Sequence, residues 1–182
     1  MPNWCNNTVT ISHEDPAMIE RARKAFNEGR LLDEFIPVPK ELSEAVADGS
    51  LNEALVMKYG YSNWYNFCVN EWGTKWDVGA DGQPAIDSDV NTLSMNFESA
   101  WAPPCAAYEK LMEQGFKIIA YYYEPGMAFA GKWDNGDDDY YEYGSMSSQE
   151  IADTLPDDLD ECFCISEQVA EWEAENEETE DE

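Results

Sequence analysis

Basic residues are absent from the last fifty positions of this 182-residue chain, although those positions hold twenty Asp and Glu. Residues 1–132 hold nineteen acidic residues against all ten Lys and Arg, so about two thirds of the formal net charge of −29 lies in residues 133–182. A field of one sign repels phosphate backbones and anionic membranes and attracts basic protein surfaces, including those that hold nucleic acid. The expected partner is therefore a basic protein rather than nucleic acid or a membrane.

Targeting and cross-linking signals are also missing. No stretch approaches the roughly 20 apolar residues that a membrane-spanning helix needs. The start, MPNWCNN, lacks the basic and apolar regions of a secretory signal. The five cysteines are odd in number and widely scattered, which does not indicate a disulfide framework. These absences predict a protein of a reducing compartment, the cytoplasm.

No catalytic or metal-binding signature is complete. His13, the single histidine, has no nucleophile or orienting partner at a recognisable spacing. Cys162 and Cys164 form a Cys-x-Cys pair without the second pair or the histidine of a zinc site. The acidic run 134–139 places Gly136 third, where an EF-hand needs glycine sixth. We expect a non-enzymatic protein with no cofactor and no metal; a nucleic-acid-processing enzyme using carboxylates and magnesium stays open as an alternative.

The first 124 residues predict a ferredoxin-like body. Hydrophobic residues make up 43% and aromatic residues 13% of the chain, so a packed core is expected despite the charge. Alternation, caps and turn residues predict the order strand, helix, strand, strand, helix, strand, which is the split βαβ pattern of ferredoxin-like α+β folds. The predicted elements are a strand at 4–11, a helix from Asp15 to Gly29, an irregular helix at 51–72, strands at 74–78 and 92–99, a helix at 100–114 and a strand at 116–124.

A hairpin and helices are predicted beyond this body. Asn135-Gly136 suits the positive φ angles of a type I′ turn. Ser147 or Ser148 caps a short helix, and residues 157–172 fit one amphipathic helix with an acidic outer face. The predicted organisation is a ferredoxin-like domain at 1–145, an acidic helical extension at 146–172 packed on it, and a disordered acidic tail at 173–182.

The acidic segment has two interpretations. Most charge runs are solubilising surfaces. Carboxylates held on ordered backbone can instead imitate duplex DNA, which carries one negative charge per about 1.7 Å of its axis. The predicted hairpin and helix would hold their carboxylates in fixed positions, and a disordered tail would not. The predicted partner-binding carboxylates are Asp134, Asp137, Asp138, Asp139, Glu142, Asp157, Asp158, Asp160 and Glu161.

Two tryptophan motifs form a second candidate site. In WGTKWD, the indoles could stack on a base or another ligand while the lysine meets a phosphate. Alternatively the rings fill the core at a turn and the lysine pairs with a carboxylate. In AWAPP, the indole either lines an anion pocket at the start of the next helix or acts as a hydrophobic staple. The candidates are Trp72, Lys75, Trp76, Asp77 and Trp101.

Several local strings are distinctive in combination. They are the initial MPNWCNNTVTI, FIPVP at 35–39, NEWGTKWD at 70–77, ESAWAPP at 98–104 and EPGMAFAGKW at 124–133. Together they resemble the YubB-like family of plasmid- and phage-encoded proteins with a ferredoxin-like domain, over residues 1 to about 143. The resemblance implies that fold and action in the cytoplasm of a bacterium that hosts a mobile element. It implies no catalytic residue.

The charge pattern and the resemblance together predict a non-enzymatic phage or plasmid accessory protein. Its acidic surface would bind a basic, nucleic-acid-binding host protein, as a DNA-mimic-type inhibitor of restriction, CRISPR or a similar defence. The alternative is a small-ligand or nucleotide-binding domain built on the two tryptophan motifs, in which the acidic end only solubilises.

Overall fold

The structure, a computed structural model, describes the backbone of residues 3–180 and their side chains except at 87–88 and 177–180. The strands are β1 (Trp4–Ser12), β2 (Ile86–Asp89), β3 (Thr92–Ala100), β4 (Lys117–Glu124), β5 (Phe129–Asp134) and β6 (Asp137–Glu142). The helices are α1 (Pro16–Asn27), α2 (Leu31–Phe35), α3 (Lys40–Ser43), α4 (Glu53–Tyr59), α5 (Trp64–Glu71), α6 (Cys105–Glu113), α7 (Ser148–Thr154), α8 (Asp157–Phe163) and α9 (Ile165–Glu180). Within this range, no helix combines the length and apolar character that crossing a membrane requires.

The strands form one antiparallel sheet in the spatial order β2-β3-β1-β4-β5-β6. In chain order, strands β1 to β4 and helices α1 and α6 follow one another as strand, helix, strand, strand, helix, strand. Since β3 pairs antiparallel with both β1 and β2, those two run parallel with β3 between them, which is a split βαβ arrangement. The predicted ferredoxin-like α+β fold is confirmed, and the β5–β6 hairpin extends the sheet beyond β4.

The second strand was predicted at 74–78, and that prediction is wrong, because β2 lies at Ile86–Asp89. Residues 72–78 instead form a turn held by side chains. The Thr74 hydroxyl donates to the Ala100 carbonyl at 3.2 Å and accepts from the Ala100 N–H at 3.0 Å. The true strand carries only one apolar residue, because it is the edge of the sheet and buries little.

Helices pack on both faces of the sheet and leave β6, at its edge, exposed. Alternate residues of β1 and β3 point into the main core beneath α1 and α6. On the opposite face, α7 to α9 pack over β4 and β5 through a separate cluster. The buried members of this second cluster are Tyr123, Ala130, Tyr143, Ile151, Leu155, Leu159 and Ile165.

The acidic C-terminal helices depart from the prediction in two ways. The predicted single helix at 157–172 is broken at Cys164, which is left-handed with a φ of 53°. Ile165 would lie about 240° around a straight helix from Leu159, and the break lets both side chains reach the core. The tail predicted to be disordered covers residues 173–182, of which 181–182 lie outside the described residues. Helix α9 continues to Glu180, and the Glu173 carboxylate accepts hydrogen bonds from the Ser148 N–H and hydroxyl.

The local turn and cap signals are confirmed. Asn135 and Gly136 both have positive φ, 49° and 105°, at the hairpin turn, and the Asn135 side chain accepts a hydrogen bond from the Ile118 N–H at 2.8 Å. Ser147 forms a capping box with Glu150 at the start of α7. These hydrogen bonds therefore hold the backbone that carries the carboxylates of the hairpin and of α7.

The five cysteines provide a chemical test of this fold. Cys162 and Cys164 are exposed, although desolvation raises the pKa of Cys162, and burial raises the pKa of Cys5, Cys68 and Cys105 to about 12. Because the thiolate is the nucleophile, a maleimide at neutral pH is expected to label Cys164 first and Cys162 next in the native protein, and all five thiols after denaturation. Mass spectrometry counts and locates the labels. Rapid native labelling of Cys5 or Cys68 would contradict the packing described above.

Candidate functional site

The β5–β6 hairpin carries five of the predicted acidic residues, and all five side chains are exposed. Strand alternation divides those of β6 between the two faces of the sheet, with Asp137 and Asp139 on one and Asp138 and Glu142 on the other. Asp138 accepts a hydrogen bond from the Tyr122 hydroxyl at 2.6 Å, so it also has a structural role. The carboxylates therefore wrap around the edge of the sheet instead of forming one flat row.

Helix α8 carries the other four predicted residues, and two of them are engaged within the fold. Asp158 accepts hydrogen bonds from Lys132 and from the Tyr121 hydroxyl, each at 2.7 Å. The Lys132 ammonium lowers the pKa of Asp158. Asp160 accepts hydrogen bonds from the Ser166 N–H and hydroxyl and so caps α9. Asp157 and Glu161 are exposed, and among the described residues their side chains have no hydrogen bond or ion pair.

The face of the hairpin that carries Asp137 and Asp139 is the one on which α8 packs, and Asp138 and Glu142 lie on the other face. Lys132 lies opposite Asp139 across the β5–β6 pair and bonds to Asp158 of α8, so it joins the two groups. Lys132 is also the last basic residue of the chain. We call the nine predicted carboxylates, held by β5, β6 and α8, the acidic surface.

Helix α9 adds an acidic row that sequence analysis did not single out. Glu167, Glu171 and Glu175 are exposed and follow at intervals of four residues, so they lie along one side of the helix about 6 Å apart. The regular spacing of four was the available signal. It was overlooked because the predicted helix ended at residue 172.

The tryptophan motifs divide into buried and exposed residues. Trp72 is buried, and its indole N–H donates to the Ile36 carbonyl at 3.0 Å. The Asp77 carboxylate accepts from the N–H groups of Leu32 and Asp33 at 2.7 and 2.9 Å, at the start of α2. Burial raises the pKa of Asp77, although these donors oppose the shift. Trp72 therefore packs in the core, and Asp77 stabilises the start of α2.

Lys75, Trp76 and Trp101 come together at the surface. Trp76 and Trp101 are 39% and 42% exposed. The Lys75 ammonium lies 4.3 Å from the centre of the Trp76 ring and 5.7 Å from that of Trp101. Among the side chains that the structure describes, Lys75 has no carboxylate partner, and its ammonium contacts aromatic rings instead.

Trp4 joins this group and was missed by sequence analysis. It is 42% exposed, and its ring centre lies 5.8 Å from that of Trp76. The signal was weak, since it consists only of an outward position at the start of β1. We call Trp4, Trp76 and Trp101 the tryptophan cluster.

The start of α6 does not provide the anion pocket considered for Trp101. The Ala107 N–H donates to the Trp72 carbonyl at 3.2 Å. A side chain at Gly73 would come within 3.3 Å of the Cys105 and Ala106 nitrogens. The chain at 72–73 therefore closes off this helix end, and an anion near Trp101 would have Lys75 as its partner.

A depression of about 470 Å³ lies beside Lys75 and Trp76. This volume falls in the range of small-molecule sites, roughly 300–1,000 Å³. Among the described side chains, no group of three or more His, Cys, Asp or Glu is placed to hold a metal ion. The residues that matter for the chemistry of the depression are Asp33, Ser43, Trp64, Trp72, Lys75 and Trp76.

Comparison with known proteins adds little to this geometry. No family model matches the chain, and no curated protein matches it. Among solved structures, the chain is similar to the crystal structure of a protein api92 from Yersinia pseudotuberculosis, of the family model DUF1281. The identity is 14% and the TM-score 0.43, over 80% of this chain and 99% of that chain. A similarity at this level carries no argument about function.

Proposed function

We propose that the protein is a non-enzymatic inhibitor whose acidic surface occupies the nucleic-acid site of a basic protein. The observation that carries this proposal is the placement of the charge. Residues 133–182 hold twenty acidic residues and no basic ones. The β5–β6 hairpin is part of the sheet, and α7, α8 and the start of α9 pack on it. Carboxylates on fixed backbone can meet the Lys and Arg of a nucleic-acid site as phosphates do.

The acidic row on α9 supports the proposal. Like charges four residues apart destabilise a helix by about 0.2–0.5 kcal/mol per pair. Glu167, Glu171 and Glu175 form two such pairs, and no basic residue of α9 offsets them. A basic partner would remove this repulsion on binding, whereas solubility alone does not require the charges to be aligned.

The class of partner follows from the resemblance described above. A phage or plasmid gains from blocking host enzymes that recognise its DNA, so we propose a restriction or CRISPR nuclease as the partner. The protein would then act in the cytoplasm of the bacterial host. It would bind neither nucleic acid nor membrane, since both are anionic.

A panel of purified restriction endonucleases and CRISPR effectors tests this function. The protein is expected to inhibit DNA cleavage by at least one member at about 50 mM salt, and the inhibition should weaken steeply by about 200 mM because ion release drives such binding. Excess DNA should relieve the inhibition, and the protein should not shift DNA in a gel. Inhibition that is insensitive to salt and to DNA would refute charge mimicry.

A further inference from the structure

The depression beside Lys75 is unlike the rest of this acidic protein, because it combines aromatic rings with an unpaired cation. Trp64, Trp72 and Trp76 contribute to its lining, together with the Lys75 side chain. The Lys75 ammonium also lies 5.8 Å from the centre of the Tyr65 ring. A charged amine surrounded by rings and without a carboxylate partner in the described residues is well placed to meet an anion.

Exposure of the tryptophan cluster needs an explanation. Indole rings are usually packed, and burying them stabilises a protein by roughly 25 cal/mol per Å² of apolar area. Here three indoles stay about 40% exposed next to each other, although all other Trp side chains except Trp172 are more buried. Of the three, Trp76 lines the depression, and a planar ligand bound there would cover the exposed part of its ring.

We propose that the depression binds a nucleoside monophosphate. The nucleobase would stack on the Trp76 indole in place of the Lys75 ammonium, which lies 4.3 Å from the ring centre and would turn away to pair with the phosphate. Asp33 lines the same depression; its Oδ1 accepts a hydrogen bond from the Val38 N–H at 2.9 Å, and its Oδ2 would accept from a ribose hydroxyl. Each part of the ligand therefore has a chemically matched group within one concave site of suitable volume.

The charged groups in the lining also limit the charge of the ligand that the depression can bind. Lys75 is the single cation in the lining, where Asp33 and Asp77 are the acidic members. One ammonium offsets half or more of the charge of a monophosphate, which is about −1.5 to −2 at neutral pH, and a much smaller share of the charge of a triphosphate or a polynucleotide. The net charge of −29 adds long-range repulsion that grows with the charge of the ligand. The site is independent of the acidic surface, and its occupancy does not depend on a basic partner.

Isothermal titration calorimetry with the intact protein tests the proposal. The four common ribonucleoside monophosphates are compared with adenosine, inorganic phosphate and a single-stranded oligonucleotide. We expect saturable binding of at least one monophosphate, weaker binding of adenosine, and none of phosphate or of the oligonucleotide. No saturable binding of any monophosphate would overturn the proposal. Tightest binding of the oligonucleotide would also overturn it and would identify a nucleic-acid surface instead.

Variants locate the site. W76A is expected to weaken monophosphate binding about 5- to 150-fold, the range for loss of one base–aromatic stack. K75M is expected to weaken it about 10- to 100-fold through loss of the charged partner of the phosphate. W76F should retain part of the affinity because it keeps a ring, which separates lost stacking from disturbed folding.

Matched controls come from the same chain. W172A removes an indole that is 65% exposed on α9, and K117M removes an exposed lysine at the start of β4. Both controls are expected to bind the monophosphate as the unchanged protein does. Equal losses in W76A and W172A, or in K75M and K117M, would show that binding is not located at the depression.

Discussion

Neutralising four carboxylates of the acidic surface is expected to weaken inhibition of the target nuclease by roughly 5- to 1,000-fold, since each exposed ion pair is worth about 0.2–1 kcal/mol. The variant is D137N, D139N, D157N and E161Q. These side chains are exposed and have no hydrogen bond or ion pair in the part of the chain that the structure describes, so folding should not suffer. The inhibition constant measured at low salt gives the effect, and its dependence on salt should become shallower.

A control with the same change of net charge separates position from bulk attraction. E14Q, E53Q, E109Q and E113Q together remove four exposed carboxylates from the body of the protein. Long-range attraction falls equally in both variants, but the contacts of the acidic surface stay intact in the control. Equal losses in the two variants would favour the interpretation that the charge only solubilises.

Replacing Leu159 with alanine is expected to destabilise the protein by about 2–5 kcal/mol, because the side chain is fully buried where α8 meets the sheet. The free energy of unfolding from urea denaturation measures this. E161A, two residues away and exposed, should change it by less than about 0.5 kcal/mol. A small effect of L159A would mean that α8 is not held on β4 and β5. The carboxylates of α8 would then not be held in fixed positions.

The fold could be predicted where the signals are local. Asp15 caps α1, Pro16 begins it, and Asn135-Gly136 turns the hairpin, as their conformational preferences require. The second strand was missed because an edge strand buries little and shows almost no alternation. The break at Cys164 was missed because it depends on the burial of Ile165 against elements that are distant in the chain.

In the candidate sites, too, local features could be predicted from the sequence, and contacts between distant residues could not. Exposure of the hairpin carboxylates follows from composition and turn geometry. The engagement of Asp158 could not be predicted, because its partner Lys132 lies 26 residues away and meets it only through the packing of α8. Trp4 and Trp76 are far apart in sequence, and their rings meet only after β1 and the turn at 72–78 are in place. Contacts of this kind need tertiary structure.

The position of Lys132, the last basic residue of the chain, limits where some proteases can cut the protein. A protease that cuts after lysine or arginine has its last site in this sequence at that residue. The bond lies inside β5, which is paired to β4 on one side and to β6 on the other, and the next residue, Trp133, belongs to the main core. The acidic end therefore cannot be cleaved off by such an enzyme while the sheet remains intact. Such a protease can remove the acidic end only from molecules in which the sheet has opened.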